Sequence, residues 1–243
     1  MKVGLAGTGW RAQMYVRVME ALGAEYEISA VYVHSEASKE REEKTFPGKV
    51  YTDYDAFLET KPDCVIFMLK YGAALPFAEK AMEHGIPVFC ETPPATTVEE
   101  LNAWYQAKER YNGKVQVAEQ YCFQPYYQAL IKMIEDGKLG TVSNLELSQA
   151  HDYHGMSIMR RLLGVGMENC KITARTYEFP VNYHCGREGL HKGDKTVTDT
   201  RKRAEFVFPN GKVGFFDFAC EQYFNYFRTR HLNLQGDQGE VHD

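Results

Sequence analysis

Short apolar runs alternate with amphipathic or charged segments through the first 120 residues, and this pattern predicts a regular series of strands and helices. The predicted strands are KVGLAG, EISAVYV, KVY, DCVIFML, IPVFCE and KVQVAEQY. The predicted helices are WRAQMYVRVMEAL, SEASKEREEKTF, DYDAFLET, ALPFAEKAMEHG and TTVEELNAWYQAKERYNG, the last with a capping box from Thr96 to Glu99. Strand–helix alternation of this kind predicts an α/β fold of the Rossmann type, a doubly wound parallel sheet with helices on both faces.

After Tyr121 the pattern changes. Helical spacing recurs in PYYQALIKMIEDG and YHGMSIMRRLLG, and strand-like runs occur in TVSNLELSQAH, KITARTYEF, TRKRAEFVF, KVGFFDFAC and TRHLNLQG. Asn210-Gly211 is a strong hairpin signal. We therefore expect two domains: a Rossmann domain over 1–122, and over 123–243 an α+β domain with an open, mainly antiparallel sheet. The chain ends on what reads as the start of another strand, so we expect the second domain to be incomplete.

Composition and charge narrow the class of protein. The net charge of −5 gives no bulk attraction to nucleic acid or to an anionic membrane. No apolar run approaches the roughly 20 residues that a membrane helix needs. Six cysteines occur without CxxC spacing, which favours free thiols in a reducing compartment. We therefore expect a cytoplasmic protein with neither a nucleic-acid nor a membrane partner.

A glycine-rich turn follows the first predicted strand. Gly7, Gly9 and Ala12 form a G-x-G-x-x-A pattern that opens the first helix. In dinucleotide-binding proteins the first glycine permits a tight turn, the second lets the backbone approach the pyrophosphate, and the third small residue keeps the helix close to the strand. The candidate cofactor-binding residues here are Gly7, Thr8, Gly9, Trp10, Arg11 and Ala12. The alternative interpretation is a turn with a structural role alone.

The end of the second predicted strand bears on the choice between NAD and NADP. A carboxylate there would hold the adenosine ribose of NAD, but this chain has His34 and Ser35, with Glu36 just beyond. His34 and Ser35, with Lys39 and Arg41 nearby, are candidate ligands of a 2′-phosphate, which favours NADP. The alternative is that Glu36 or Ser35 holds an NAD ribose.

Four segments together resemble the Gfo/Idh/MocA family of NAD(P)-dependent oxidoreductases: GTGWRA, EHGIPVFCETPPATTVEEL, GKLGTV and GDQGEV. The resemblance runs along the whole chain. It implies a Rossmann domain, a second α/β domain whose open sheet forms a subunit contact, and hydride transfer between nicotinamide and a hydroxyl of a sugar-like or glycoside substrate. It also implies that family members continue beyond the point where this chain ends.

The chain departs from the family pattern near the nicotinamide. The family has Glu-Lys-Pro where this chain has Glu91-Thr92-Pro93, so the family's catalytic lysine is absent. All three residues remain candidate cofactor contacts. Leu69 and Lys70 stand where many members have Thr-Pro. Leu69 is a further candidate cofactor contact, and Lys70 either supplies some of the missing positive charge or is a solvated loop residue.

The second domain carries the candidates for proton transfer. Alignment on the family pattern places His154 at the family's histidine, while Ala150 and Ser157 replace the two acids that accompany it. Histidine suits acid–base work near neutral pH, so His154 is the leading candidate catalytic residue. Asp152 is a weaker candidate. His151 and His154 form an H-x-x-H pair without a third ligand, and we expect no metal.

The junction segment AEQYCFQP adds two candidates. Tyr121 is a candidate catalytic residue, and Gln120 is a candidate cofactor contact. The alternative for Tyr121 is that its ring only packs at the junction. The loop 182–199 is expected either to cover an active site or to be a plain surface connection. Its His184, Cys185 and His191 are the remaining metal-capable side chains. The aromatic segment FFDFACEQYFNYF places apolar residues on both faces of its strand, which predicts a homo-oligomer formed through the C-terminal sheet.

Two functions remain open from the sequence. The first is an NAD(P)-dependent dehydrogenase or reductase acting on a small sugar-like substrate. The second is a catalytically degenerate dinucleotide-binding protein that serves as a sensor, a regulatory partner or an inactive remnant, which the replacements Thr92, Ala150 and Ser157 favour.

Overall fold

The computed structural model describes residues 1–183, 185–186, 188–191 and 195–243. The chain divides into two compact units, Met1–Ala118 and Glu119–Asp243, whereas the sequence placed the division near residue 122. Within the described ranges, no helix is both long enough and apolar enough to span a membrane.

The N-terminal unit is a six-stranded parallel sheet in the order β3-β2-β1-β4-β5-β6. Its strands are β1 (Lys2–Ala6), β2 (Glu27–Tyr32), β3 (Val50–Tyr51), β4 (Cys64–Phe67), β5 (Val88–Cys90) and β6 (Val115–Val117). Its helices are α1 (Trp10–Leu22), α2 (Glu36–Glu42), α3 (Tyr54–Glu59), α4 (Leu75–Glu83) and α5 (Val98–Arg110). The strand order reverses between β1 and β4, which is where doubly wound sheets bind their ligands. The predicted Rossmann architecture is confirmed.

The start of α5 lies one residue later than the sequence predicted. Thr97, not Thr96, is the N-cap, and its hydroxyl accepts a hydrogen bond from the backbone N–H of Glu100 at 3.1 Å. The Glu100 carboxylate in turn accepts from the backbone N–H and the hydroxyl of Thr96, at 2.7 and 2.9 Å. The prediction named Glu99 as the partner and was wrong by one position, because two consecutive threonines and two consecutive glutamates offer the same spacing twice.

The C-terminal unit is a six-stranded sheet in the order β14-β13-β7-β12-β11-β8, with a separate two-stranded ribbon of β9 and β10. Its strands are β7 (Val142–Ser148), β8 (Lys171–Asn182), β9 (Cys185–Gly186), β10 (Gly189–Leu190), β11 (Thr196–Val207), β12 (Val213–Ala219), β13 (His231–Gly236) and β14 (Glu240–His242). Its helices are α6 (Pro125–Glu135) and α7 (Asp152–Leu163). β7 and β12 pair in parallel, and the remaining pairs are antiparallel. The expected mainly antiparallel sheet is confirmed.

Most of the described residues in the segment predicted as a loop over 182–199 are in strands. β8 continues to Asn182, the β9–β10 ribbon follows, and β11 already begins at Thr196. His184 and residues 187 and 192–194 lie outside the described residues. The strands extend into this region because Val181 and Val197 pair across β8 and β11. The hairpin predicted at Asn210-Gly211 is confirmed as the connection between β11 and β12.

The aromatic segment of the C-terminal unit is a strand only up to Ala219, and a 3₁₀ turn, Cys220–Tyr223, follows it. Phe216 and Phe218 are buried on the inner face of β12, whereas Phe215 points to the opposite face and is partly exposed. The strand predicted as KVGFFDFAC is therefore confirmed to within one residue at each end, and the aromatic residues after it are not part of this strand. The turn begins there because the Gln222 side chain accepts a hydrogen bond from the backbone N–H of Ala219 at 3.0 Å.

Helix α7 packs very closely on β12. A Cβ atom added to Gly155 would lie 2.6 Å from the Phe216 ring and 2.9 Å from the carbonyl oxygen of Ala150. Ile158, Leu162 and Leu163 are fully buried on the same helix. This packing fixes the first turn of α7, which carries His154.

Candidate functional site

The glycine-rich turn has the geometry that its sequence predicts. Gly7 has φ +103°, and a Cβ there would lie 2.8 Å from the carbonyl oxygen of Met68, so both the backbone conformation and the space require glycine. Its N–H donates to the carbonyl of Tyr32 at 3.1 Å. Ala12 is buried, which brings α1 close to the sheet. The turn therefore lies tight against the carboxyl ends of β1 and β2.

The residues present at this turn fit the pyrophosphate of a dinucleotide. A Cβ on Gly9 would meet no protein atom within 4 Å, so the space in front of this backbone is open. Gly9 is the N-cap of α1, no side chain caps the helix, and its first turn contains no acidic residue. The positive end of the α1 dipole thus faces an open space that suits an anion. Thr8 and Trp10 flank Gly9 and are themselves partly or fully exposed.

At the end of β2, His34 is exposed and Ser35 is the N-cap of α2. The Ser35 hydroxyl accepts from the Ser38 N–H at 3.3 Å and donates to the Ser38 hydroxyl at 3.0 Å. The Glu36 carboxylate accepts from the hydroxyl of Thr52 at 2.5 Å. Two of the possible ribose ligands thus already have partners within the protein, and the exposed imidazole of His34 has none among the described residues.

Glu91 binds the loop after β5 to helix α1. Its carboxylate accepts a hydrogen bond from the Tyr15 hydroxyl at 2.6 Å and forms an ion pair with the Arg11 guanidinium at 3.2 Å. The same carboxylate accepts from the Thr92 N–H at 3.3 Å. Burial, followed by the hydrogen bond to Glu91, raises the pKa of Tyr15 above its usual range. The candidate cofactor contacts Arg11 and Glu91 are therefore partners of each other.

Helix α5 holds the rest of the CETPPAT segment in place through a hydrogen bond from Trp104. The indole N–H of the buried Trp104 donates to the carbonyl of Pro94 at 2.9 Å. The Thr92–Pro93 peptide bond is cis, and both side chains are half-buried. Thr92 is thus a neutral residue in a fixed turn, at the position where the family has a lysine.

The two candidates after β4 have different environments. Leu69 is half-buried and packs on the core of the N-terminal unit, with its side chain 3.4 Å from the point that a Cβ on Gly7 would occupy. Lys70 is exposed, and its carbonyl accepts from the N–H of Ala73. Leu69 therefore belongs to the floor of the glycine-rich turn, while Lys70 lies on a surface turn.

The buried His154 forms a pair with the half-buried Glu119. Its Nδ1 lies 2.6 Å from Oε2 of Glu119, and the histidine side chain is only 6% exposed. The other carboxylate oxygen of Glu119 accepts from the backbone N–H of Tyr121 at 3.1 Å, so the carboxylate is fixed at both ends. Nε2 of His154 has no hydrogen-bond partner in the described part of the chain. This is the arrangement of an imidazole that is oriented by one nitrogen and able to exchange a proton through the other.

A ring of aromatic side chains surrounds the pair. The rings of Tyr121, Tyr153 and His151 lie 4.7, 4.5 and 4.9 Å from the His154 ring, centre to centre. Nδ1 of His151 lies 2.7 Å from the Tyr223 hydroxyl, and the backbone N–H of His151 donates to the same hydroxyl at 3.0 Å. The Tyr121 hydroxyl is 3.4 Å from that of Tyr223. The predicted residues Tyr121 and His154 are thus brought together.

Asp152 and Gln120 are not part of this buried group. Asp152 forms an ion pair with Lys202 at 2.7 Å, and its side chain is 46% exposed. Gln120 is half-buried before the 3₁₀ turn Tyr121–Phe123, and its carbonyl accepts from Phe123. Among the described residues, no three His, Cys, Asp or Glu side chains cluster as metal ligands.

Sequence reasoning missed Glu119 and Tyr223 as members of the site, whereas His151 was already noted beside His154 in the H-x-x-H pair. Glu119 could have been found, because it lies near the carboxyl end of a predicted parallel strand, where α/β proteins place functional side chains. Tyr223 carried no such signal. It reaches the site because Gln222, which is buried, donates to Ser148 at 3.0 Å and to the carbonyl of Thr229 at 3.2 Å and so fixes the turn.

Comparison with known proteins places this fold in a class. Residues 1–119 match the GFO_IDH_MocA family model, described as "Oxidoreductase family, NAD-binding Rossmann fold". This match covers the whole N-terminal unit and confirms the resemblance to the Gfo/Idh/MocA family seen in the sequence.

Particular relatives extend the match into the C-terminal unit. The chain is 31% identical to "Putative oxidoreductase YteT" of Bacillus subtilis over 157 residues, which cover 61% of this chain and 37% of that relative. The matched part thus spans well under half of that curated relative.

Among solved structures, the whole chain superposes on a putative myo-inositol dehydrogenase from Sinorhizobium meliloti, with a TM-score of 0.74 and 18% identity over 75% of that chain. It also superposes on scyllo-inositol dehydrogenase from Lactobacillus casei with bound NAD(H) and scyllo-inositol, with a TM-score of 0.73 and 15% identity over 76% of that chain. At these identities the superpositions show the shared fold.

Proposed function

We propose that this protein is an NAD(P)-dependent oxidoreductase that transfers a hydride between nicotinamide and a hydroxyl or carbonyl carbon of a sugar-like substrate. The observation that carries the proposal is the pair of the buried His154 with Glu119, at 2.6 Å, in a chain whose other unit matches an NAD-binding Rossmann family model. When bound, the nicotinamide supplies the donor or acceptor of the hydride. The chain must supply the site for the accompanying proton, and a positioned imidazole does so.

In the oxidation direction, Nε2 of His154 takes the proton of the substrate hydroxyl. The resulting imidazolium is stabilised by the carboxylate of Glu119, which holds the ring by Nδ1. In the reduction direction the same nitrogen returns the proton. Position 92 is a threonine in place of the family's lysine, so His154 carries out the proton transfer that the lysine would otherwise assist.

The cofactor is held by the N-terminal unit. Gly7, Gly9 and the uncapped first turn of α1 are proposed to bind the pyrophosphate. NADP is favoured over NAD because no carboxylate stands at the end of β2 and Glu36 is already bonded to Thr52. His34, which is exposed there, is the proposed ligand of the 2′-phosphate.

The substrate class rests on the neighbours of the fold, among them an inositol dehydrogenase solved with scyllo-inositol. We also propose a homo-oligomer formed through the outer face of the C-terminal sheet, because Tyr177, Phe179 and Phe215 are all 36% exposed or more. Light scattering across the micromolar range tests this part: a dimer or larger species is expected, and a monomer at every concentration contradicts it.

The first experiment is a titration of the purified protein with NADPH and with NADH, followed by energy transfer from tryptophan and tyrosine. Saturable binding is expected, with the lower Kd for NADPH. The protein loaded with NADP⁺ or NAD⁺ is then mixed with a panel of sugars and inositols. His154→Ala is expected to cut turnover by about a hundredfold or more, whereas His84→Ala, on an exposed helix end, leaves it unchanged.

A second function is favoured by one observation: Thr92 is neutral and lies in a fixed turn where the family has a catalytic lysine. In that case the chain binds dinucleotide without turnover, as a sensor or regulatory partner. Protein that binds NADPH or NADH but transfers no hydride to any member of the panel would support this second function and reject the first.

A further inference from the structure

Two histidines of the C-terminal unit lie side by side and are held in different ways. The ring centres of His151 and His154 are 4.9 Å apart, at an interplanar angle of 82°. Each ring uses Nδ1 to bind another side chain, Tyr223 for His151 and Glu119 for His154. For both rings, Nε2 has no hydrogen-bond partner among the described residues. The two partners differ in kind, since one is a phenol and the other a carboxylate.

The carboxylate settles the proton position on His154. A carboxylate oxygen accepts hydrogen bonds and has no proton to give, so Nδ1 of His154 must be the donor at 2.6 Å. In the neutral ring the second nitrogen, Nε2, then carries a lone pair. His154 is therefore an acceptor toward anything that approaches Nε2.

The phenol sets the opposite proton position on His151. The Tyr223 oxygen already accepts from the backbone N–H of His151 at 3.0 Å, and the Tyr121 hydroxyl lies 3.4 Å away as a second donor. The one proton of Tyr223 is then directed along the shortest contact, 2.7 Å, to Nδ1 of His151. Since Nδ1 accepts, the proton of the neutral ring is on Nε2.

The environment keeps these protons in place. Burial, followed by hydrogen bonding to Tyr121, raises the pKa of Tyr223 above its usual range, so the phenol keeps its proton. Burial, followed by the neighbouring His154, lowers the pKa of His151, so this imidazole stays neutral. The guanidinium of Arg230 lies over the Tyr223 ring, 5.8 Å from its centre, and helps to fix the phenol.

We propose that His151 and His154 are locked in opposite tautomers, with His154 Nε2 as the proton acceptor and His151 Nε2–H as a hydrogen-bond donor to the same substrate. In the oxidation direction the substrate hydroxyl gives its proton to His154, and the hydrogen bond from His151 stabilises the oxygen as negative charge develops on it. His151 keeps its own proton throughout. Such a donor–acceptor pair suits a polyol, in which oxygens that donate and oxygens that accept are neighbours.

This inference rests on the proposed function for its catalytic meaning, but the tautomers can be measured without any substrate. The protein is labelled with ¹⁵N-histidine, and long-range ¹H–¹⁵N spectra are recorded near pH 8. His151 is expected to show a protonated Nε2 and a bare Nδ1, and His154 the reverse. Two histidines in the same tautomer, or a proton on Nδ1 of His151, overturn the inference.

Two variants test which side chain sets the tautomer of each histidine. Tyr223→Phe removes the phenol proton and is expected to release His151 into a mixture of tautomers while His154 is unchanged. Glu119→Gln is expected to disturb His154 and leave His151 as it was. A His151 that keeps its tautomer in Tyr223→Phe contradicts the role of Tyr223. The exposed His84 and His231 serve as internal references for the tautomer mixture of a solvent-exposed imidazole.

The donor role is then tested with the alcohol of the panel that the wild-type protein oxidises fastest. His151→Leu is expected to lower kcat by about a hundredfold, the cost of removing one hydrogen-bond donor at a developing oxyanion. His151→Gln, which keeps an N–H near the position of Nε2, is expected to retain more of the rate. Equal rates in wild type and His151→Leu remove the donor role. If no alcohol is oxidised, the proposed function fails, while the spectra still decide the tautomers.

Discussion

The carboxylate of Glu119 lies 2.6 Å from Nδ1 of His154, and its other oxygen accepts the backbone N–H of Tyr121. The carboxylate is thus held by the main chain and in turn holds the imidazole. A histidine oriented in this way exchanges protons through one defined nitrogen, which is the property that a hydride-transfer reaction requires of its proton-handling group.

The first prediction concerns Glu119. Glu119→Gln is expected to lower kcat by about tenfold to a hundredfold, part of the roughly 10²–10⁴-fold that a positioned proton-transfer group contributes. KM should change little, because Glu119 acts through His154. Steady-state kinetics with the best alcohol of the panel provides the measurement.

The matched control is Glu135→Gln, in which the replaced carboxylate is exposed near the end of α6 and faces Arg161 at 3.9 Å. This control should retain wild-type kinetics. A Glu119→Gln protein as active as the Glu135→Gln control would show that the buried pair is structural only.

The second prediction separates cofactor binding from folding at the glycine-rich turn. Gly9→Ala places a methyl group in open space, so only the weaker N-cap propensity of alanine should lower the free energy of unfolding, by about 1 kcal/mol or less. The same methyl lies where the pyrophosphate is proposed to approach, so the Kd for NADPH should rise at least about tenfold. Denaturant unfolding and the fluorescence titration measure the two quantities.

Gly7→Ala is the contrasting variant. Gly7 has φ +103°, and an added Cβ would lie 2.8 Å from the carbonyl oxygen of Met68. The substitution should therefore destabilise the N-terminal unit by roughly 1–3 kcal/mol. Unchanged nucleotide affinity in Gly9→Ala would contradict the proposed pyrophosphate position.

The third prediction concerns the packing of α7. Gly155→Ala forces a methyl group to within 2.6 Å of the Phe216 ring and should cost roughly 1–3 kcal/mol of stability through overpacking. The shift of α7 should also lower kcat, because His154 precedes Gly155 directly. Adding Phe216→Leu to the same chain is expected to recover part of the stability, and a double-mutant cycle measures the coupling. Strictly additive effects would show that the two residues do not compete for this space.

The fourth prediction is a loss of stability in alkali. Burial, followed by the hydrogen bond to Glu91, raises the pKa of Tyr15 in the folded state, whereas an unfolded chain ionises a tyrosine near its usual pKa of about 10. The contribution of Tyr15 to the free energy of unfolding is therefore complete below about pH 10. It falls as the pH rises above about 10, because only the unfolded state then loses the phenol proton.

Melting temperatures between pH 8 and pH 11 test this sign. Tyr15→Phe should melt lower at pH 8, because Glu91 loses a partner, but its melting temperature should fall less steeply above pH 10. Tyr105→Phe, with an exposed ring, is the control and should follow the wild type. A slope in Tyr15→Phe equal to that of wild type would contradict the assignment.

Much of the N-terminal unit could be predicted because its signals are local. Apolar runs, glycine turns and helix periodicity each depend on neighbouring residues, and all six parallel strands were found. The candidate site could be predicted only in part. His154 was found by a family pattern, but its partner Glu119 lies 35 residues earlier in the chain, and Tyr223 enters the site by way of a buried glutamine. Such pairings depend on the tertiary packing of α7 against the sheet, which no local pattern encodes.

The difference between local signals and tertiary pairing also explains the errors in the C-terminal unit. β11 begins at Thr196, inside a segment rich in glycine and charge that read as a loop, because its backbone pairs with a long neighbouring strand. The aromatic segment ends as a strand at Ala219, because the amide of Gln222 competes with the sheet for the Ala219 N–H.

The hydrogen bond between Tyr15 and Glu91 joins residues that are 76 positions apart. It makes helix α1 and the CETPPAT segment parts of one cooperative element, since neither can open without breaking a buried contact of the other. A nucleotide that settles on the amino end of α1 should therefore slow amide hydrogen exchange not only there but also in residues 90–96. The two peptides should gain protection together, and in Glu91→Gln only the first should respond.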